Sequence, residues 1–178
     1  MTNSYKVKMN TAQLLVKEFE RRVFEESYER IYSCLNRISD QQLWVSPNEH
    51  IPPVGCLILH LTGNARQWIG SGIGKLPDKR LRSAEFLVHP DITKAELVLL
   101  LANLKQKVSD VLKSLNDEEL EIPVTIQGLH ETYFSVVIHV IEHFSYHTGQ
   151  ITTLTKWLTN NSTDFYDDDQ LDDRISLN

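Results

Sequence analysis

Three histidines, His139, His143 and His147, stand in one stretch of the chain, each four residues from the next. In a helix, four residues advance about 400°, so neighbours are offset by only about 40° and lie one turn apart on one face. Two imidazoles placed in this way can converge on one ion, the local geometry of the helical zinc motif H-x-x-x-H. All three cannot, because the outer two are separated by about 12 Å of helical rise. A metal site therefore needs one pair from this segment and a ligand from elsewhere. His60 is the candidate, a polar residue inside the apolar run Leu57-Ile58-Leu59-His60-Leu61, where burial without a partner is costly. The same spacing also fits a blander arrangement, in which the ladder is coincidental and His60 is a hydrogen-bonded core residue. His50, His89 and His130 fall in loops or at a helix start and read as surface residues.

The elements that must carry these residues follow from periodicity. From about residue 11 to 38, Leu14, Leu15, Phe19, Val23, Phe24, Ile31, Leu35 and Ile38 recur at three- and four-residue steps between charged residues, the pattern of a long amphipathic helix. Ser39 and Gln42 resemble a capping box for a short turn, and Pro47, Pro52 and Pro53 make an extended connection. A second helix starts at Pro53 and runs through Leu57, Ile58, Leu61, Ala65, Trp68 and Ile69, with Gly70, Gly72 and Gly74 expected to stop it. Residues 71–92, with Pro77 and Pro90, read as a long irregular loop of the kind that is often functional. Thr93 with Glu96 caps a third helix with the stripe Leu97, Leu100, Leu101, Leu104, Val108, Val111, Leu112 and Leu115. Residues 122–126 read as loop or a weak extended segment.

A fourth helix, over about 130–158, carries the histidine ladder. Phe134, Val137, Ile138, Ile141, Phe144, Ile151, Leu154, Trp157 and Leu158 form its apolar side. Four such helices with no convincing strand between them bury their stripes most simply as an all-α four-helix bundle, here residues 1–160.

Composition excludes several classes. The 178 residues suit one domain, and 41% hydrophobic with 24% charged residues marks a globular chain rather than a membrane-spanning or disordered one. Basic residues number 18 against 24 acidic ones, with no Lys/Arg cluster, which argues against nucleic acid as a partner. The acidity is concentrated: Asp164, Asp167, Asp168, Asp169, Asp172 and Asp173 face Arg174 alone in residues 161–178, read as a solvated, flexible acidic tail. The body is therefore close to neutral. Two cysteines, Cys34 and Cys56, make no disulfide framework, and no secretory signal pattern opens the chain, so a cytoplasmic protein with free thiols is expected.

The segment His139-Val-Ile-Glu-His143-Phe-Ser-Tyr-His147-Thr-Gly-Gln150 resembles the closing motif of the DinB/YfiT-like metalloenzyme superfamily, in which H-x-x-x-H is followed by a Gly-Gln pair. Leu59-His60-Leu61-Thr-Gly-Asn64-Ala-Arg66-Gln-Trp68 resembles the histidine-bearing second helix of that family. With Arg80-Leu-Arg82-Ser-Ala-Glu85-Phe86 in the long loop, the chain is most similar to an uncharacterised branch, over residues 10–158. The resemblance implies a bundle of the DinB/YfiT-like type with ligands His60, His143 and His147. It implies a divalent ion, zinc or nickel first, with copper, iron and manganese also compatible with such sites. Three protein nitrogens leave a coordination position open, the ligand count of catalytic zinc. The implied activity is that of a metal-dependent thiol S-transferase or hydrolase acting on a small molecule, such as a low-molecular-weight thiol, in a homodimer. The alternative is a non-catalytic, stress-associated or interaction protein in which a structural or vestigial histidine cluster holds the helices together.

Further residues could line such a site. His139, one turn before His143, either borders the pocket or packs as a polar residue. Asn64, one turn beyond His60, and Gln150, three residues beyond His147, could each orient an imidazole or sit at the bundle rim. Arg80, Arg82 and Glu85 are candidates for contact with an anionic substrate, or for an internal ion pair that tethers the loop. Cys56, on the His60 face, is a minor candidate ligand, and Glu142 reads as solvated.

Overall fold

Asn10 opens the first helix by a reciprocal cap with Gln13: the Asn10 side chain accepts from the Gln13 amide, and the Gln13 side chain accepts from the Asn10 amide. In the computed structural model, which describes residues 8–166, α1 spans Thr11–Phe19 and α2 spans Tyr28–Arg37. A π-helical segment, Glu20–Ser27, joins them without a break in helical dihedrals. Ser39 and Gln42 cap a single 3₁₀ turn as expected, with amide-to-side-chain contacts at 2.9 and 3.1 Å.

α3 spans Val54–Ala65 after the Pro52-Pro53 entry and continues through a second π-helical segment, Arg66–Ile73. Of the three glycines expected to stop the helix, Gly74 ends it, while Gly70 and Gly72 lie within its last turns. Packing is the reason: a Cβ at Gly72 would lie 2.5 Å from Ile126 Cδ1, so glycine there permits close approach rather than ending the helix. The rest of the long loop holds one 3₁₀ turn, Arg82–Phe86.

α4, Lys94–Leu112, is capped by Thr93 and Glu96. It buries Leu97, Leu101, Leu104, Val108 and Leu112, while Leu100 turns outward. α5, Tyr133–Thr159, is capped by Thr132 and closes on Asn160 in the left-handed conformation, φ 54°. It begins three residues after His130, which lies instead in a hairpin that periodicity missed. β1, Pro123–Ile126, pairs antiparallel with β2, Leu129–Thr132, with Ile126 opposite Leu129. The linking Gln127 and Gly128 both have positive φ, 55° and 81°, as a tight hairpin turn requires.

The chain is an all-α four-helix bundle with this small hairpin appended. Phe19, Tyr28, Ile31, Leu57, Ile58, Leu61, Trp68, Leu97 and Phe144 are buried at its centre. Phe19, Phe24, Tyr28 and Phe144 form a column with ring centroids 5.3, 5.3 and 5.8 Å apart, and the Tyr28 hydroxyl donates to the Leu101 carbonyl at 3.1 Å. Leu14, Phe134 and Trp157, expected on apolar faces, are exposed.

Residues 161–166, assigned by sequence to the acidic tail, lie against α2. Arg37 donates to the Ser162 and Thr163 carbonyls at 3.1 Å each, and Arg30 to the Tyr166 hydroxyl at 2.7 Å. Asp167, Asp168, Asp169, Asp172 and Asp173 fall outside the described residues. Among the described residues, no helix is long and apolar enough to cross a membrane.

Candidate metal centre

α3 supplies His60, and α5 supplies His143 and His147 from successive turns of one face. One nitrogen from each of the three lies within 4.8 Å of the others. Ring centroids are separated by 4.9 Å (His60 to His143), 5.0 Å (His60 to His147) and 4.4 Å (His143 to His147). His60 and His147 are buried and His143 is partly so.

Two of the rings are oriented from behind. His60 Nδ1 is 2.9 Å from Glu85 Oε2, and His147 Nδ1 is 2.7 Å from Gln150 Oε1. Arg80 Nη2 also lies 3.2 Å from His60 Nδ1, but the carboxylate is closer and, like the Gln150 amide oxygen, only accepts, so both rings donate through Nδ1, which in the neutral ring leaves the lone pair on Nε2. On His143 the Nε2 is buried without a hydrogen-bond partner. An orphaned polar atom at this depth is costly unless its lone pair is given to a cation. Three neutral imidazole donors are also a set that borderline divalent ions prefer, so the residues present can hold such an ion.

Burial pushes the His143 pKa down to about 3, and charge on His147, His60, His139 and Arg80 would push it the same way. His147 is lowered by burial, against an opposing hydrogen bond from Gln150, and His139 is lowered mainly by burial. The ligand form of His143, the neutral ring, is thus its ordinary state in the fold. The unfolded chain has an ordinary imidazole, at about 6.5, and binds protons that the folded chain refuses between there and about 3. Stability must therefore fall as pH drops through that window. In chelator, the urea midpoint is expected to decrease from pH 7.5 to 5, and His143→Gln is expected to make that decrease shallower.

The other sequence candidates divide. Gln150 holds His147. Asn64 serves His139 instead of a clustered histidine, its Nδ2 donating to His139 Nε2 at 3.3 Å, and its Oδ1 is buried and unpartnered. His139 is outside the cluster, stacked on Trp68 with centroids 3.5 Å apart and planes 11° apart. Glu85 meets His60, and Arg80 grips Glu85. Burial alone would raise the Glu85 pKa, but hydrogen bonds and charge from Arg80 and His60 outweigh it and hold the carboxyl below its usual range.

Arg82 is exposed, its guanidinium 5.0 Å over the Phe86 ring, and makes no hydrogen bond to the clustered histidines. Cys56 directs its thiol to the Leu87 carbonyl at 3.2 Å, burial raises its pKa to about 11, and it is not among the residues that converge with His60. Glu142 is exposed as expected. His89, expected at the surface, is half-buried and bonded to the Ala84 carbonyl at 3.0 Å. Sequence reading missed the aromatic walls: Phe86 lies 4.8 Å from His60, and Tyr146 4.9 Å from His147. Each could have been found from its neighbour, Tyr146 beside His147 in the ladder and Phe86 beside Glu85 in the long loop.

The family model described as "Protein of unknown function (DUF1572)" matches residues 10–166. Among solved structures, a conserved protein of locus from Enterococcus faecalis superposes with a TM-score of 0.67 at 17% identity, covering 86% of this chain and all of that one. A DinB-like protein from Bacillus cereus superposes with a TM-score of 0.62 at 18% identity, covering 79% of this chain and 91% of that one. No curated protein matches in sequence. The bundle expected from the helical stripes, of the type the family resemblance implied, is thus the fold observed, and the chain belongs to the DUF1572 family, with the fold of the DinB-like proteins.

Proposed function

We propose that this chain is a divalent-metal enzyme of thiol S-transferase or hydrolase type, acting on a small molecule at His60, His143 and His147. The observation that carries the reading is the convergence of three imidazole nitrogens within 4.8 Å, one of which is a buried Nε2 without a partner. When bound, a zinc or nickel ion on three imidazoles supplies a Lewis acid that can lower the pKa of water or a thiol. The chain's own part is preorganisation. Glu85 and Gln150 fix the tautomers and ring planes of two ligands, and burial keeps His143 neutral. A cleft of about 660 Å³, lined by Ile51, Pro52, Leu57, Tyr146, Gln150 and Trp157, opens beside the residue that holds His147, a size suited to a small molecule. A cytoplasmic homodimer using a low-molecular-weight thiol is the form of this reading that the family resemblance favours.

The test is a thiol-transfer and hydrolysis screen on the stripped, zinc-loaded and nickel-loaded chain. Turnover should appear only in a loaded form and be lost in His60→Ala and His147→Ala. Stoichiometric metal with no turnover in any loaded form would contradict an enzyme and favour the non-catalytic alternative.

A further inference from the structure

Glu85 is 25 residues from His60 in sequence, yet its carboxylate is the group behind that imidazole, 2.9 Å from Nδ1. Arg80 closes on the same carboxylate with two bonds, Nε to Oε1 at 2.7 Å and Nη2 to Oε2 at 2.9 Å. Its side chain is only 2% exposed. The remaining arm, Nη1, donates to Gln67 Oε1 at 2.9 Å, and Gln67 is itself fixed by Asp78 and by Gln127 of the hairpin turn. The carboxylate is admitted by a missing side chain. A Cβ at Gly63, inside α3, would lie 2.0 Å from Glu85 Oε1 and 2.8 Å from its Cδ. Glycine is disfavoured in a helix interior, and here it stands where the loop touches the helix. Phe86, the next residue, lays its ring against His60.

We propose that Glu85 is a positioning residue for the metal centre, seated by Gly63 and Arg80, so that residues 80–86 form a clasp holding His60 in its ligand orientation. The inference rests on the metal reading above. By accepting from Nδ1–H the carboxylate keeps the lone pair on Nε2 and makes the ring a better donor. Arg80 saturates the carboxylate's other bonds and keeps it behind the ring, out of the ligand set. Because coupling is reciprocal, an ion held more tightly by the clasp also holds the loop down on α3.

The experiment uses the full chain as wild type, Glu85→Gln, Gly63→Ala and the double variant. Zinc affinity is measured by competition with a chromophoric chelator, the cobalt(II) d–d spectrum is recorded for each, and circular dichroism checks the metal-free fold. Each single variant is expected to bind zinc about 10- to 100-fold more weakly and to alter the cobalt spectrum. The double variant is expected to bind no more weakly than the weaker single one, because Gly63→Ala acts by displacing the carboxylate. Multiplying losses would overturn the clasp. So would Glu85→Gln affinity within about twofold of wild type, a result that stands on its own if Gly63→Ala fails to fold and that leaves the metal site in place. Absence of zinc binding by the wild type would overturn the metal reading, and the clasp with it.

Discussion

His143→Ala is expected to abolish metal binding at micromolar concentration. His143 is one corner of a near-equilateral triangle of rings, 4.9 Å from His60 and 4.4 Å from His147, and of the three it is the one with a buried nitrogen that has no protein partner. Removing it leaves two imidazoles, each already tied through Nδ1 to Glu85 or Gln150. The loss should exceed the roughly 10- to 100-fold that removing an outer partner of a ligand costs. Thermal unfolding gives a second readout. Zinc at about a hundred times its dissociation constant stabilises a folded chain by about 2.7 kcal/mol, and that gain should vanish in the variant. The metal-free variant should lose little, because an unsatisfied buried nitrogen goes with the ring. Zinc retained at wild-type stoichiometry would contradict the assignment.

Trp68→Ala is expected to have the largest effect on the fold, about 3–5 kcal/mol. The indole is 1% exposed, on the π-helical continuation of α3, and stacks on His139 of α5. Truncation opens a cavity between the two helices that carry the ligands, and domain stabilities are only about 5–15 kcal/mol. The urea midpoint should fall steeply with the slope unchanged. Trp68→Phe should cost far less, since the indole nitrogen is buried without a partner and its removal relieves that cost. Comparable losses in both variants would show that ring volume is not what matters there.

These two positions also show what periodicity could and could not reveal. Helical spacing placed Trp68 in the core and the ladder on one face, and the stripe of α4 was plain from Leu97 to Leu112. Spacing alone left two pairs, 139/143 and 143/147, equally able to meet His60. The family resemblance favoured the second, and in the structure Trp68 and Asn64 already occupy His139. Local pattern failed where a distant partner decides. Gly72 looked like a helix stop because the residue it accommodates, Ile126, is on another element. The hairpin was hidden by Pro123 and by glutamine at a turn position where asparagine is the usual signal. Glu85 was legible as a site-lining residue or as half of an Arg–Glu pair, and the pair with Arg80 is present, but its contact with His60 was not legible, since the long loop has no periodicity to say which helix its charges meet.

The most direct measurement is anomalous scattering at the zinc edge from crystals of the zinc-loaded chain. One strong peak is expected per chain, with a nitrogen of each of His60, His143 and His147 at about 2.0–2.1 Å and at least one non-protein ligand. A peak elsewhere, or one that leaves any of the three imidazoles unligated, would contradict the site.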